Sequence, residues 1–106
     1  MRPGRIALIA AVLCGALCAV PAQAETIKVE IKNLIFGPVE VKARVGDTIV
    51  WDNQDVFAHT ATATDKSFEV MLPPKKSGSL TVKKAGTFDY FCKFHPNMKG
   101  KVIVTP

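Results

Sequence analysis

Four side chains in the second half of the chain have the types that bind a transition metal. Cys92, His95 and Met98 are spaced as C-x-x-H-x-x-M, and His59 lies upstream, after a polar turn. Two imidazoles and a thiolate form a trigonal donor set that suits copper in both oxidation states, and a long, weak thioether bond tunes the reduction potential. Cysteine and histidine also suit zinc, but zinc gains little from a thioether, so Met98 favours copper. The sequence therefore predicts one copper ion, cycling between Cu(II) and Cu(I), at His59, Cys92, His95 and Met98.

Each of these residues also has an ordinary structural interpretation. A single cysteine in a strand is usually a small buried hydrophobe, and a methionine after a loop usually packs. His59 could be a surface histidine. The combination favours the metal site, because the chain has only two histidines and both belong to the set. The other methionine of the β-rich region, Met71, lies in an apolar segment and is predicted to pack in the core.

The elements that must position this set are predicted to be strands. Apolar and polar residues alternate with a period of two through most of the chain after residue 25, and Gly, Pro, Asn and Asp separate the segments. The eight predicted strands are Thr26–Lys32, Val39–Val45, Thr48–Asn53, His59–Thr64, Phe68–Leu72, Ser79–Lys83, Thr87–Cys92 and Lys101–Thr105. Seven or eight short strands with turns between them predict an all-β fold, an antiparallel two-sheet sandwich or barrel.

The first 24 residues are predicted to be a secretory signal peptide. A basic start, Met1–Arg5, precedes an apolar run, Ile6–Val20, and Pro21–Ala24 supplies small residues for cleavage. The alternative, a retained anchor, is disfavoured because the run is shorter than the roughly 20 residues that span a bilayer. We therefore expect residues 25–106 to form one domain, located in the periplasm and without a membrane segment once the signal is removed.

The number of cysteines and the net charge further limit the possible functions. Two of the three cysteines lie in the predicted signal peptide, so Cys92 has no disulfide partner in the mature domain, and an unpaired thiol in an oxidising compartment is a liability that a metal removes. The whole chain carries a net charge of +5, but two of its arginines leave with the signal. The remaining positive charge is mild. It suggests acidic partner surfaces and is too weak to indicate nucleic-acid binding.

Two segments resemble the cupredoxins, the small blue-copper proteins. Val45–Trp51 followed by Asn53 is similar to the strand, turn and strand before the first copper histidine of that family. Gly86–Val102, with the short C-x-x-H-P-x-M loop, is most similar to the amicyanins within it. The resemblance extends over residues 25–106 and implies a Greek-key two-sheet sandwich.

The resemblance also implies roles for the candidate ligands. His59, Cys92 and His95 would be the strong ligands and Met98 the axial one, with the exposed edge of His95 as the electron exit. In one departure, Thr60 follows the first histidine, where blue-copper proteins commonly have an asparagine that ties the ligand loops together. In a second, the stretch between His59 and Cys92 looks shorter than in the amicyanins, so partner choice is not carried over.

We expect a monomeric single-electron carrier that docks with donor and acceptor redox proteins. Lys93, Lys99 and Lys101 would favour acidic partners around the site. The alternative is a periplasmic copper-binding protein for copper delivery or tolerance, which would use the same ligands and pass Cu(I) to an acceptor. An enzyme is disfavoured, because copper oxidases and nitrite reductases need further histidines and no hydrolytic residue set stands out.

Overall fold

The computed structural model describes residues 23–106, so most of the predicted signal peptide lies outside the described residues. These residues form nine strands and no helix. The strands are β1 (Thr26–Lys32), β2 (Ile35–Gly37), β3 (Glu40–Arg44), β4 (Thr48–Asn53), β5 (His59–Ala63), β6 (Glu69–Leu72), β7 (Ser77–Thr81), β8 (Gly86–Phe91) and β9 (Lys99–Thr105). The predicted all-β class is confirmed. No described residue belongs to a helix long and apolar enough to cross a membrane.

Two sheets pack face to face around one apolar core. The five-stranded sheet has the order β3-β9-β8-β5-β6, and the four-stranded sheet has the order β2-β1-β4-β7. Alternation sets the inward faces: in β1, Val29 and Ile31 are fully buried while their neighbours are exposed. The remaining buried apolar residues of the core cluster are Phe36, Val41, Ala43, Ile49, Trp51, Ala61, Leu72, Val82, Tyr90, Cys92, Met98, Val102 and Val104.

Three details differ from the sequence-based expectations. One strand, β2, was not predicted. It is only three residues long and pairs with β1, so an alternation of apolar and polar residues could not be recognised in it. Two pairings are parallel, β1 with β4 and β3 with β9, and the sheets are therefore mixed rather than purely antiparallel. Met71 is 56% exposed rather than packed in the core, because Val70 and Leu72 on either side of it face inward.

The order of strands in the larger sheet brings the candidate ligands together. β8 and β9 are antiparallel neighbours, and the loop joining them, residues 92–98, carries Cys92, His95 and Met98. β5 lies on the other side of β8, with Thr62 opposite Phe91. Continued to the start of β5, this register brings His59 beside the same loop. The site therefore lies at one end of the sandwich, where β5 begins and β8 ends.

Candidate metal centre

The side chains of His59, Cys92 and His95 converge at this end of the sandwich. Their ligand atoms all lie within 4.8 Å of one another. The sulfur of Cys92 is 3.6 Å from Nδ1 of His59 and 3.7 Å from Nδ1 of His95. Both imidazoles thus turn the same ring nitrogen toward one thiol.

These separations fit a metal ion with trigonal ligands. With metal–nitrogen bonds of about 2.0 Å and metal–sulfur bonds of about 2.3 Å, ligand angles of 120° separate nitrogen from sulfur by about 3.7 Å, against about 3.5 Å for tetrahedral angles. The observed values of 3.6 and 3.7 Å lie within this range, so the spacing accommodates a single ion. Two imidazoles and one thiolate form the His₂Cys set that is typical of copper.

Two consecutive turns explain the spacing of the ligand loop. The backbone N–H of His95 donates to the carbonyl of Cys92 at 3.3 Å, and the N–H of Met98 donates to the carbonyl of His95 at 2.8 Å. A third bond, from Cys92 N to Met98 O at 3.1 Å, closes the loop. Each turn advances the chain by three residues, so the C-x-x-H-x-x-M pattern places its three side chains at the ends of the two successive turns. Met98 is nearly buried, with 4% exposed.

Asp55 orients the ring of His59. One carboxylate oxygen, Oδ2, lies 2.9 Å from Nε2 of His59. The same carboxylate accepts the backbone N–H groups of Asn33 and Leu34, at the turn between β1 and β2. Burial raises the pKa of Asp55, but the hydrogen bonds from Leu34, His59 and Asn33 outweigh it and hold the pKa below its ordinary value of 3.8. An ionised carboxylate only accepts, so Nε2 carries the proton and Nδ1 offers its lone pair to the site.

Asn53 holds the segment that leads from β4 to His59. Its side chain is buried, and Nδ2 lies within 3.1 Å of the carbonyl oxygens of Phe57, Leu72 and Pro73. Its Oδ1 accepts the N–H of Asp55 at 2.9 Å. The amide thus fixes the turn that supplies both the histidine and its carboxylate partner. The sequence alone places Asn53 at the end of a predicted strand and assigns it no role, because a polar residue between strands is also typical of an ordinary solvated loop.

Thr60 links the two ligand segments. Its backbone N–H points at the sulfur of Cys92 at 3.4 Å, and its hydroxyl oxygen accepts the N–H of Lys93 at 2.9 Å. Thr60 therefore makes the connection between the two loops that an asparagine commonly makes in blue-copper proteins.

The candidate ligands differ in their access to solvent. His59 and Cys92 are fully buried, whereas His95 is partly exposed. The ring of Phe57 lies edge-on to that of His95, with centroids 6.0 Å apart, and Phe57 and Phe94 are both about half exposed. His95 is thus the one imidazole of the cluster that reaches the surface, where the half-exposed ring of Phe57 lies beside it.

Comparison with known proteins gives a consistent result. Residues 5–104 match the family described as "Cupredoxin-like domain". Amicyanin-alpha of Methylorubrum extorquens is 35% identical over 102 residues, which cover 90% of this chain and 86% of that protein. Plastocyanin of Scenedesmus fuscus is 34% identical over 85 residues, 67% of this chain and 87% of that protein.

Solved structures agree with the sequence matches. The crystal structure of amicyanin from Paracoccus versutus superimposes with a TM-score of 0.66 at 35% identity, covering 80% of this chain and 84% of that one. A reduced Cu(I) form of an amicyanin variant gives a TM-score of 0.64 at 34% identity, covering 80% and 85%.

Proposed function

This chain belongs to the family of cupredoxin-like domains, and we propose that it is a type 1 copper protein that carries single electrons between redox proteins. The observation that carries the proposal is the cluster of His59, Cys92 and His95, whose ligand atoms lie within 4.8 Å of one another at one end of the sandwich. The relatives support the same role, because amicyanin and plastocyanin are blue-copper electron carriers.

The donor set fits copper better than zinc. Two neutral imidazoles, a thiolate and a nearby thioether combine soft and borderline ligands in a trigonal arrangement, which suits both copper oxidation states. The Cu(I) form of the related amicyanin variant supports the same metal. Copper, when bound, supplies a one-electron couple between Cu(II) and Cu(I). His59, Cys92 and His95 would be its strong ligands and Met98 its weak axial ligand.

The chain contributes rigidity and an exit for the electron. Asp55 fixes the ring of His59, and the turn hydrogen bonds fix Cys92 and His95, so the ligands need not rearrange when the charge of the site changes. Burial of Cys92 keeps water from the sulfur. The partly exposed ring of His95 gives a partner protein a short path into the site.

A copper titration of the purified domain tests the proposed ligands. Adding Cu(II) should produce an intense thiolate-to-copper absorption band, and Cys92→Ala should abolish it. Met98→Leu should keep the band and raise the reduction potential, because the thioether that stabilises Cu(II) is lost. Met71→Leu is the matched control on an exposed methionine and should change neither. A wild-type domain that stays colourless and prefers zinc would refute the proposal.

Copper delivery is the less favoured alternative. A delivery protein must expose its ligands to an acceptor, whereas His59 and Cys92 are both fully buried here. We therefore expect Cu(I) to stay bound through repeated oxidation and reduction in the presence of a competing Cu(I) chelator. Rapid loss of the metal to the chelator would favour delivery.

No enzymatic activity is proposed. In the part of the chain that the structure describes, both histidines belong to the one cluster, which leaves no imidazole for a catalytic copper. The proposed partners are donor and acceptor redox proteins, and the proposed oligomeric state is a monomer.

We further propose that residues 1–24 are a signal peptide removed on export to the periplasm. Residues 23–25 are exposed, and β1 begins at Thr26, so a peptidase could reach the bond after Ala24. Cleavage would leave the new α-amino group of Glu25 at the position from which its nitrogen now donates to Asp47, at 2.9 Å. Hydrogen bonds from Glu25 and Arg44 already lower the pKa of Asp47, so the new cation would face an ionised carboxylate. The intact mass of the protein from a periplasmic extract should equal that of a chain that begins at Glu25.

A further inference from the structure

We propose that Thr60, Thr62, Glu69 and Lys93 form a closed ring of hydrogen bonds, the threonine ring, that positions Cys92 and raises the reduction potential of the site. The effect on the potential rests on the proposed copper function. The positioning of the Cys92 segment does not, and it can be measured in metal-free protein.

The two threonines lie on the outer face of the five-stranded sheet. Thr60 is opposite Met71 and Thr62 is opposite Glu69, and both of these partners are exposed. Yet Thr60 is only 1% exposed and Thr62 only 8%. Hydroxyl groups buried to this extent cost free energy unless they are hydrogen-bonded. The two buried hydroxyl groups on the outer face of β5 therefore need hydrogen-bond partners within the protein.

The chemistry of the groups fixes the direction of each hydrogen bond. Oγ1 of Thr62 is 3.3 Å from a carboxylate oxygen of Glu69, which can only accept, so Thr62 uses its single proton there. The 2.9 Å contact between the two hydroxyls must then be a donation from Thr60 to Thr62. With its own proton used, Thr60 Oγ1 accepts the backbone N–H of Lys93 at 2.9 Å.

An ion pair closes the ring at the surface. Nζ of Lys93 lies 3.4 Å from the second carboxylate oxygen of Glu69, and both side chains are about half exposed. Such an exposed pair contributes little free energy by itself. Its place in the ring is to hold the carboxylate over Thr62, where it accepts the last hydroxyl proton.

Lys93 follows Cys92 directly, so the ring acts on the peptide unit between them. Holding the Lys93 N–H on Thr60 fixes the plane of that peptide and therefore the direction of the Cys92 side chain. In the opposite direction, the N–H of Thr60 reaches the sulfur at 3.4 Å. A hydrogen bond aimed at the sulfur stabilises the more electron-rich thiolate of the reduced state, which raises the potential. Removing a hydrogen bond of the threonine ring should misalign the Thr60 N–H with the Cys92 sulfur and therefore lower the reduction potential.

Amide hydrogen exchange in metal-free protein tests the positioning directly. Thr60→Val keeps the size of the side chain and the backbone N–H but removes the hydroxyl. Exchange of the Lys93 amide should become about tenfold faster, which corresponds to the loss of one ordinary hydrogen bond. Thr60→Ser should restore wild-type exchange. Thr81→Val is the matched control, because Thr81 shares a hydroxyl contact of 3.0 Å with Thr48 on the other sheet. It should leave the Lys93 amide unchanged.

The potential of the copper-loaded protein is the second readout. Thr60→Val should lower it, whereas Thr60→Ser and Thr81→Val should leave it at the wild-type value. If Thr60→Val fails to fold, Thr62→Val replaces it and should give intermediate exchange at Lys93, because Thr60 keeps its accepting oxygen. Unchanged exchange in the valine variant that folds, or an unchanged potential in it, would overturn the inference. A wild type without a copper band would instead refute the proposed function and leave the exchange result standing.

Discussion

Asp55 shows how much one side chain can do for the site. It accepts three hydrogen bonds, two from the turn between β1 and β2 and one from the ring of His59. The carboxylate therefore connects the smaller sheet to a buried candidate ligand, and it also selects the tautomer that leaves Nδ1 free to bind a metal. Partners of metal-bound histidines commonly have this function.

Removing this carboxylate should weaken metal binding without removing a ligand. We expect Asp55→Ala to lower copper affinity about 10- to 100-fold, as is usual for the hydrogen-bond partners of metal-bound histidines. Competition with a Cu(II) chelator measures the change. Asp65→Ala is the matched control, since Asp65 accepts the Ser67 N–H in an exposed turn. Equal affinities in the two variants would show that Asp55 does not orient His59.

Residue types identified the cluster but not its supports. Cys92, His95 and Met98 could be selected from the sequence because few other residues bind soft metals and their spacing is short. Asp55 could not, and Thr60 could be noted only as a departure from the family pattern, because aspartate in a turn and threonine in a strand are common for many other reasons. Their roles depend on contacts between segments far apart in the chain, such as Thr60 with Cys92, which local sequence does not encode.

Strand β9 begins directly after the ligand loop, and its second residue is held tightly. Gly100 lies opposite Tyr90 across the β8–β9 pair, and the Tyr90 ring covers its backbone. The Tyr90 hydroxyl accepts a hydrogen bond of 3.1 Å from Nε1 of Trp51, in the facing sheet. The ring therefore joins the two sheets immediately beside the loop that carries the candidate ligands.

A methyl group at position 100 should disturb this contact. A Cβ atom built there would lie 2.6 Å from the Tyr90 hydroxyl oxygen. We expect Gly100→Ala to lower the free energy of unfolding by about 1–3 kcal/mol, as overpacking in a core does. Urea titration measures the change. Gly37→Ala serves as control, because its Cβ would meet only the Glu30 carbonyl oxygen at 3.8 Å. If both variants unfold at the wild-type midpoint, Tyr90 can move aside at little cost.

At the scale of strands, the sequence predicted where they lie and which face is buried. Alternation located all eight of the longer strands, with ends shifted by a few residues, as in β7, which begins at Ser77 rather than Ser79. Alternation could not predict which strands pair with each other. The parallel pairing of β1 with β4 depends on chain closure over long separations, and alternation with a period of two is the same for parallel and antiparallel neighbours.

The stability of the whole domain should depend on pH through Tyr90. Burial raises the pKa of Tyr90 to about 12, and the hydrogen bond from Trp51 opposes this only in part. In the unfolded chain the phenol ionises near its ordinary value of 10.0. The stabilising contribution is therefore complete below pH 10 and is lost as the pH rises toward 12. The loss amounts to about 3 kcal/mol, two pKa units at 1.36 kcal/mol each.

Tyr90→Phe isolates this contribution, because Tyr90 is the only tyrosine in the chain. Urea titrations of metal-free protein at several pH values should show that the wild type is more stable below pH 10, where the variant leaves Trp51 Nε1 without its acceptor. Above pH 10 the difference should shrink and then reverse. Curves that stay parallel throughout would mean that Tyr90 ionises in the folded state as easily as in the unfolded one.

Charge around the site is the remaining property of the whole molecule. Three lysines, Lys93, Lys99 and Lys101, are expected around the site, and two of them have acidic neighbours. The ammonium of Lys93 lies 3.4 Å from the Glu69 carboxylate, and that of Lys101 lies 4.0 Å from the Asp89 carboxylate. Within residues 23–106, no carboxylate lies within 4 Å of the Lys99 ammonium. The positive potential that favours acidic partners should therefore depend mainly on Lys99.

Small redox reagents of opposite charge can measure that potential without a physiological partner. We expect Lys99→Glu to slow oxidation of the reduced protein by anionic hexacyanoferrate(III) about threefold at low ionic strength and to speed oxidation by a cationic cobalt(III) complex, with both effects fading above about 0.1 M salt. Lys84→Glu makes the same charge change before β8, at the strand end opposite Cys92, and should alter neither rate much. If Lys84→Glu and Lys99→Glu act alike, net charge rather than a local patch governs encounter, and an acidic partner would have no preferred approach to His95.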